Sequence, residues 1–260
     1  MVLAGDSPDR GVSEDKFDLF YRFPRAFRGK TLTDLEKAML DWGAVAPRQT
    51  NGKNDFNHSY KEEYAISGRT RIALLWHAIG HRVQNSKPVL SADVRKTGES
   101  FEAAMDLLEQ LEIVNAYCMR TLLCIDPLQY GLLSKVYDYR LSTYASQRAF
   151  AALDKKMLWE GREVMFNRWS PLHWDKQDPP MAWACITYVG DFEGAYFEFP
   201  QLKVKLLLRP GDVVFFRGHD LLHGVPEWLS GQRHFLVHFT HQALWQEAGI
   251  PCASSKAQGV

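Results

Sequence analysis

The sequence predicts an α+β protein in which a helical N-terminal part supports a β-rich C-terminal core. Two observations lead to this fold class. Before about residue 153, apolar residues recur mainly at helical spacing, as in the stripe Ala103, Leu107, Leu108 and Leu111. From residue 161 onward, six short strand-like segments follow closely on one another. Short strands divided by turn residues are typical of a β-sandwich or barrel.

The N-terminal part contains the helix signals. Asp126-Pro127 interrupts the longest apolar pattern, because a proline disfavours helical geometry in the residue before it. The predicted helices are one capped by Thr33, and those over residues 70–83, 100–125 and 128–153.

The strand signals come from runs of β-branched and aromatic residues bounded by Gly, Pro, Ser and Asp. They predict a helical supporting region over residues 1–160, a β-core over 161–245 and a C-terminal tail over 246–260. The predicted strands are residues 163–168, 183–189, 195–199, 204–208, 212–217 and 234–240.

Composition excludes several classes of protein. Hydrophobic residues make up 46% and charged residues 24% of 260 residues, which predicts a folded chain rather than a disordered one. Lys and Arg together number 31, as do Asp and Glu, so a strongly basic nucleic-acid-coating protein is disfavoured while a local basic groove is still allowed. No apolar run approaches the roughly 18 residues that a membrane span requires. Four cysteines without a CxxC pair favour a reducing, intracellular location.

The stretch LHWDKQD carries the first chemical signal. His173 and Asp175 flank Trp174, and in an extended chain residues two apart project to the same side. His223 follows Asp175 by 48 positions, and Arg233 follows His223 by ten. Two histidines and one carboxylate form the facial triad of non-heme Fe(II) oxygenases, which leaves open positions for a cosubstrate and O2. An arginine beyond the last histidine suits the far carboxylate of 2-oxoglutarate.

The order of these motifs resembles the Fe(II)/2-oxoglutarate-dependent dioxygenase superfamily. HxD is followed by the strand PGDVVFF, then by His223, and then by Gly-x-Arg at the start of another strand. The resemblance covers residues 161–245 and implies a double-stranded β-helix (jelly-roll) core with the site in its mouth. It also implies that His173, Asp175 and His223 bind catalytic iron and that Arg233 binds 2-oxoglutarate.

Two further blocks, GDFEGAYFEFPQL and PGDVVFFRG, are similar to the oxygenase domain of the TET and JBP nucleobase oxygenases, especially their compact fungal versions. Ala195 stands where those proteins have a second glycine. This resemblance implies oxidation of a methyl group on a DNA base, with succinate and CO2 as co-products. 5-Methylcytosine is the first expected base, followed by N6-methyladenine or thymine. The expected partner is duplex DNA with the base flipped out, which would imply a nuclear location.

Several residues near the triad are secondary candidates. Asn167 and Trp169 resemble an Asn-Arg-aromatic element of AlkB-type demethylases that touches 2-oxoglutarate, although the spacing to HxD is shorter here. The alternative for Asn167 is an amide that bonds to backbone. Trp169, Asp178 and His219 are candidates for substrate contact. The alternatives are a turn carboxylate for Asp178 and a solvated loop histidine for His219.

Two other functions remain open from the sequence. The zero net charge favours a 2-oxoglutarate-dependent hydroxylase of a small molecule or of a protein side chain. A jelly-roll binding module without activity is disfavoured because the ligand set is complete. On the last strand, Arg233, Phe235, Val237 and Phe239 share one face, so His238 is expected to point away from the pocket.

Overall fold

The computed structural model describes residues 1–46, 64–75, 89–92, 94, 97–154 and 157–254. These residues form two β-sheets and a set of helices. The strands are β1 (Val2–Leu3), β2 (Asp9–Val12), β3 (Asp18–Phe23), β4 (Gly68–Ala73), β5 (Gly161–Phe166), β6 (Ser170–His173), β7 (Ala184–Gly190), β8 (Ala195–Phe199), β9 (Val204–Leu208), β10 (Val213–Phe216), β11 (His223–Val225) and β12 (Arg233–Phe239). The helices are α1 (Gly29–Val45), α2 (Glu99–Gln110), α3 (Glu112–Ile125), α4 (Pro127–Thr143), α5 (Ala145–Ala151) and α6 (Gln242–Ala248).

The smaller sheet has the strand order β1-β9-β8-β11-β6, and the larger has the order β2-β3-β10-β7-β12-β5-β4. Neighbouring strands are antiparallel except for β1 and β9, which are parallel. One hydrophobic core contains side chains from both sheets, including Phe197 of β8 and Ile186 of β7. The two sheets therefore pack face to face, and the double-stranded β-helix expected from the sequence is confirmed.

The larger sheet is covered on both faces. Along β7, Ile186 and Tyr188 belong to the core between the sheets, whereas Cys185 and Val189 belong to a second core that the helices share. Successive strand residues point to opposite faces, so β7 is buried along nearly its whole length. This explains why the segment lacks a polar face although it belongs to an antiparallel sheet.

The segment predicted as a helix over residues 70–83 is instead β4 over its described part, and that prediction was wrong. Six residues of β4 pair with six of β5, from Gly68 opposite Phe166 to Ala73 opposite Gly161. Short apolar runs such as Ile72–Leu75 suit a buried strand as well as a helix. The alternation in Arg69-Thr70-Arg71-Ile72 is the period-two signal that the helical interpretation overlooked. Residues 76–83 lie outside the described part of the chain.

The helical boundaries differ in detail from those predicted. α1 begins at Gly29, and the Thr33 hydroxyl donates to the Gly29 carbonyl within the helix, so Thr33 is not its N-cap. Residues 100–125 form α2 and α3, which are divided at the buried Leu111 with ψ of −3°. The break at Asp126-Pro127 is confirmed, and the Asp126 carboxylate caps α4 by accepting from the Gln129 amide. A further break at the extended Tyr144 separates α4 from α5.

The residues before position 161 also supply β1 to the smaller sheet and β2, β3 and β4 to the larger one. Residues 1–160 are therefore not only helical. The predicted division at residue 161 marks a change in the sequence pattern, but strands from both sides of it belong to the same sheets. α6 crosses the predicted boundary at residue 246. Among the helices in the described ranges, none combines the length and apolar character needed to cross a bilayer.

Arg217, which follows β10, contacts residues from distant parts of the chain. Its guanidinium lies 4.2 Å from the ring centroid of Phe17 and 4.0 Å from that of Trp183. Its Nε donates to the Asp18 carbonyl at 2.5 Å, and one Nη donates to the Ser254 hydroxyl at 2.7 Å. Burial lowers the pKa of Arg217 to about 10. This side chain therefore fixes residues near both ends of the described chain against the sheet that carries the candidate site.

Gly43 of α1 offers a test of the packing between α1 and the larger sheet. A Cβ at this position would lie 2.5 Å from the Phe166 ring, which is fully buried. We expect Gly43→Ala to destabilise the protein, because overpacking costs about 1–3 kcal/mol and outweighs a gain of about 1 kcal/mol in helix propensity. Denaturant unfolding measures the change.

Gly131→Ala in α4 is the matched control, since nothing lies within 4 Å of its added methyl group. We expect this control to raise the free energy of unfolding by up to about 1 kcal/mol. Equal stabilisation by both substitutions would contradict the close packing of α1 on Phe166.

Candidate functional site

The structure brings together the three residues that the sequence singled out as metal ligands. His173 ends β6 and His223 begins β11, and the two are directly opposite in the antiparallel pairing. The Asp175 carboxylate lies 3.6 Å from Nε2 of His173 and 3.4 Å from Nε2 of His223. One ligand atom from each residue lies within 4.8 Å of the others. Two imidazoles and one carboxylate at this spacing suit a single Fe(II) ion.

Backbone hydrogen bonds orient both imidazoles. Nδ1 of His173 donates to the Pro171 carbonyl and Nδ1 of His223 donates to the Leu221 carbonyl, each at 2.8 Å. Because a carbonyl only accepts, each Nδ1 carries the proton and each Nε2 presents a lone pair. The ring of Phe216 packs 4.5 Å from the His223 ring, centroid to centroid. Both histidines are therefore held in the tautomer that binds a metal through Nε2.

The electrostatics favour the same protonation state. Burial, followed by the neighbouring His223, lowers the pKa of His173 below its ordinary value. A neutral imidazole is the form that ligates a metal. The Asp175 side chain retains 32% exposure, so solvent reaches the ligand group from one side.

The Asp175 carboxylate occupies the space that a side chain on Gly218 would fill. The Asp175 amide donates to the Gly218 carbonyl at 2.9 Å. A Cβ on Gly218 would lie 2.3 Å from Oδ2 of Asp175. The glycine therefore helps to set where the carboxylate points.

A cavity of about 500 Å³ extends from the triad between the two sheets. Its lining is mixed, with apolar side chains such as Ile186 and Phe197, and with five Lys or Arg side chains against three Asp or Glu. The predicted face of the last strand is confirmed, because Arg233, Phe235, Val237 and Phe239 all line the cavity, whereas His238 does not.

Arg233 is 1% exposed and forms no ion pair with any residue in the described ranges. Aromatic rings surround its guanidinium at 4.6 Å (Phe235), 5.4 Å (Tyr188) and 5.6 Å (Trp228). One Nη donates to the Arg168 carbonyl at 2.7 Å, whereas Nε has no hydrogen-bond partner among the described residues. Burial lowers the pKa of Arg233 to about 10. A buried guanidinium without an acid is suited to an anionic ligand.

Asn167 lies behind Arg233 and not in the cavity wall. It has φ of +49°, its Oδ1 accepts from the Arg233 amide at 2.9 Å, and its Nδ2 donates to the Ile66 carbonyl at 2.9 Å. The structure therefore corresponds to the alternative interpretation, an amide bonded to backbone. Both ends of the amide are thus engaged, and its Oδ1 holds the backbone of Arg233.

The three candidates for substrate contact differ in placement. Asp178 lines the cavity, and burial, followed by the nearby Asp175, raises the pKa of its carboxyl. Trp169 packs with its ring 6.3 Å from that of Trp228, and His219 lies with Nδ1 2.8 Å from the Asp220 carboxylate. Neither Trp169 nor His219 is among the lining residues.

Several residues of the cavity wall were not predicted from the sequence. Tyr188 and Trp228 beside Arg233 come from different segments, so no local spacing indicated them. Arg69, Arg71 and Glu163 line the far wall, with the Glu163 carboxylate paired to Arg71 and 3.9 Å from Arg69. The alternation in β4 was the available signal for the two arginines.

Gly218→Ala tests the placement of Asp175. The added methyl group would displace the carboxylate, so we expect the affinity for Fe(II) to fall by about 10- to 100-fold, the usual cost of disturbing a ligand's support. Titration of the full chain with Fe(II) under anaerobic conditions measures this affinity. Gly131→Ala is the control, and an unchanged affinity in Gly218→Ala would contradict the assigned geometry.

Comparison with known proteins gives a partial sequence match and a fold match. No model of a known protein family matches the chain. The chain is 39% identical over 59 residues to Tet-like dioxygenase 1 of Naegleria gruberi, a stretch that spans 22% of this chain and 18% of that protein. NgTET1, solved in complex with 5mC DNA, superposes with a TM-score of 0.57 and 18% identity over 93% of this chain and 82% of that one. An oxidoreductase of the 2OG-Fe(II) oxygenase family from Burkholderia pseudomallei gives a TM-score of 0.43 and 14% identity, over 85% of this chain and 82% of that one.

The superposition on NgTET1 supports the fold described above. The jelly-roll fold, the converging His173, Asp175 and His223, and the buried Arg233 are the features that the motif order had implied. The chain therefore has the fold of NgTET1, and over 59 residues its sequence resembles that of a Tet-like dioxygenase.

Proposed function

We propose that the chain is an Fe(II)- and 2-oxoglutarate-dependent dioxygenase that oxidises a methyl group on a nucleobase in DNA. The observation that carries the proposal is the pairing, in one cavity, of a converged triad with a buried arginine that has no acid partner in the described chain. 5-Methylcytosine is the first expected base, with N6-methyladenine or thymine next, and succinate and CO2 are the co-products.

The residues present fit both cofactors. His173, Asp175 and His223 would hold Fe(II), because their donor set of two nitrogens and one carboxylate is the set that this ion takes in oxygenases. Arg233 and Tyr188 are buried side by side, with the guanidinium 5.4 Å from the centroid of the Tyr188 ring, and the far carboxylate of 2-oxoglutarate would contact both. When bound, iron with 2-oxoglutarate and O2 supplies the oxidising power that breaks a methyl C–H bond.

The protein's own contribution is binding, orientation and exclusion of water. Asn167 would fix the backbone of Arg233, and the carbonyls of Pro171 and Leu221 would keep the two histidines in their metal-binding tautomers. Apolar side chains such as Ile186 and Val237 line the space between these groups. A dry, preorganised wall strengthens each polar contact inside it.

Three features of the cavity support a nucleobase as substrate. Its volume of about 500 Å³ falls within the range of pockets for small ligands. The buried Asp178 presents a carboxyl that could form a hydrogen bond with the edge of a base. The excess of cationic over acidic lining residues favours a base that is attached to phosphate groups over a neutral small molecule.

The rim of the cavity supports a nucleic acid in particular. Trp174 is 45% exposed between two of the proposed ligands, and the Lys176 ammonium lies 5.2 Å from the centroid of its ring. An exposed aromatic beside a cation can stack on a base while the cation faces a phosphate. The likeness to a Tet-like dioxygenase and to a protein solved with 5mC DNA points to the same substrate class. Nuclear residence would follow if DNA is the substrate.

Arg233→Met tests the cosubstrate assignment. Removing one partner of a buried charge pair costs about 2–4 kcal/mol, so we expect the concentration of 2-oxoglutarate for half-maximal succinate formation to rise by about 30- to 1000-fold. Arg28→Met, at an exposed arginine, is the control. Asp175→Ala should abolish Fe(II)-dependent succinate formation altogether. A normal titration in Arg233→Met, or normal turnover in Asp175→Ala, would contradict the assignments.

Oxidation of methylated duplex DNA tests the substrate. The full chain is incubated with Fe(II), ascorbate, 2-oxoglutarate and duplexes that carry one methylated base, and the digested nucleosides are analysed by mass spectrometry. We expect an oxidised nucleoside from the 5-methylcytosine duplex, its absence with Asp175→Ala, and a yield lower by about 5- to 150-fold with Trp174→Ala, since stacking contributes about 1–3 kcal/mol per base.

Trp174→Phe is the matched control for stacking and should retain most of the yield. Succinate formation without any oxidised nucleoside from the three methylated duplexes would overturn the DNA substrate and favour a hydroxylase of a small molecule or a protein side chain. The balance of 31 basic and 31 acidic residues is the observation that keeps this second function in view.

A further inference from the structure

A second cluster of ligand-type side chains lies on the face of the larger sheet opposite the cavity. Cys118 of α3, Cys185 of β7 and His238 of β12 bring one ligand atom each within 4.8 Å of the others. All three side chains are fully buried. Ile186 and Val237, their neighbours along the strands, line the cavity on the other face. The cluster is therefore separate from the triad but belongs to the same two strands.

The backbone fixes the cluster. Cys185 and His238 are directly opposite each other in the pairing of β7 with β12, and such cross-strand neighbours have Cβ atoms about 4.5–5.5 Å apart. α3 lies over this pair and places Sγ of Cys118 3.5 Å from Sγ of Cys185. The convergence thus comes from strand register and helix packing, and does not need an unusual side-chain conformation.

The buried imidazole of His238 is the group in this cluster whose polar atoms a ligand would satisfy. Within the part of the chain that the structure describes, neither of its ring nitrogens has a hydrogen-bond partner, and the Trp159 ring covers it at 5.8 Å between centroids. A buried polar group left without a partner costs about 1–3 kcal/mol. Burial, followed by the charge of Arg162, lowers the pKa of His238, so the imidazole is neutral and has a lone pair to donate. The charge of Arg162 is itself balanced by Asp154, whose two oxygens accept from it at 2.6 and 2.8 Å.

We propose that Cys118, Cys185 and His238 bind a zinc ion. Thiolate sulfur and imidazole nitrogen are the ligands that zinc prefers in structural sites. Each thiol loses its proton to solvent when its sulfur bonds to zinc, so Zn²⁺ with two thiolates and one neutral imidazole has no net charge. A neutral complex suits a buried position, where a net charge is costly. The ion would join α3 to the two strands that form the cavity floor.

Metal analysis in a background without the triad tests the proposal. The full chain with Asp175→Ala is produced in cells supplied with zinc, and its metal content is measured by mass spectrometry. We expect about one zinc ion per chain, and a fall of at least tenfold when Cys118→Ala is added. Cys124→Ala is the matched control, because Cys124 lies on the same helix and is exposed. It should retain the zinc.

A cobalt spectrum keeps the test independent of whether Cys118→Ala folds. Asp175→Ala is unfolded and refolded with Co²⁺, because a fully buried site takes up metal during folding. We expect thiolate-to-cobalt charge-transfer absorption, which the triad of nitrogens and an oxygen cannot produce.

Absence of both zinc and this absorption would overturn the proposal. Thiol titration of the denatured protein would then identify what the cluster is. Four free thiols, the full cysteine content, would mean packed side chains, and two would mean a disulfide. A lack of dioxygenase activity would leave the metal result unaffected, since these measurements require no turnover.

Discussion

The pairing of β6 with β11 is the constraint on which the candidate site depends. It sets His173 and His223 directly opposite each other, with ring centroids 4.4 Å apart. The register is irregular between His223 and Val225, and Gly224 lies at this irregularity. A Cβ on Gly224 would lie 2.5 Å from the Ser170 carbonyl oxygen, so a larger residue there would push the two strands apart. The separation of the two imidazoles therefore rests on one glycine and a few backbone hydrogen bonds.

The buried guanidinium of Arg233, on which the candidate site also depends, lowers the stability of the fold. Burying a charge without a counter-ion is costly, and the surroundings of Arg233 provide aromatic faces and a carbonyl instead of a carboxylate. The backbone of Arg233 is fixed, because its amide donates to Oδ1 of Asn167. An anion that enters the cavity would gain a partner that has already been desolvated and oriented. Such local conflict between burial and charge is typical of a ligand site.

The sequence predicted those elements that neighbouring residues determine, and failed where a distant strand or helix determines the structure. The strands 195–199 and 204–208 were predicted with the bounds observed, because turn residues flank them on both sides. Strand β4 was assigned to a helix, since its apolar run fits either structure until its partner β5 is known. The triad and Arg233 could be predicted from motif order.

The other groups could not be predicted in this way, because they are assembled by packing. Trp228 and Tyr188 reach Arg233 from separate segments, and Asn167 was assigned to the cosubstrate, although its side chain bonds to backbone. The cluster of Cys118, Cys185 and His238 spans 120 positions of sequence without any short metal-binding spacing. Only the register of β7 with β12 and the position of α3 bring its members together.

The distribution of charge decides how a neutral protein could act on a polyanion. Within the described ranges, the buried charged groups are balanced, with six arginines and six carboxylates, so burial does not uncover a basic surface. The cationic excess is local to the cavity, where Arg69, Arg71 and Lys176 line the wall and rim. Affinity for DNA would then rest on few phosphate contacts and on stacking at the mouth, and it would depend weakly on salt. Recognition of this kind selects a base that has already left the helix rather than the duplex as a whole, because base flipping is easiest where pairing is weak.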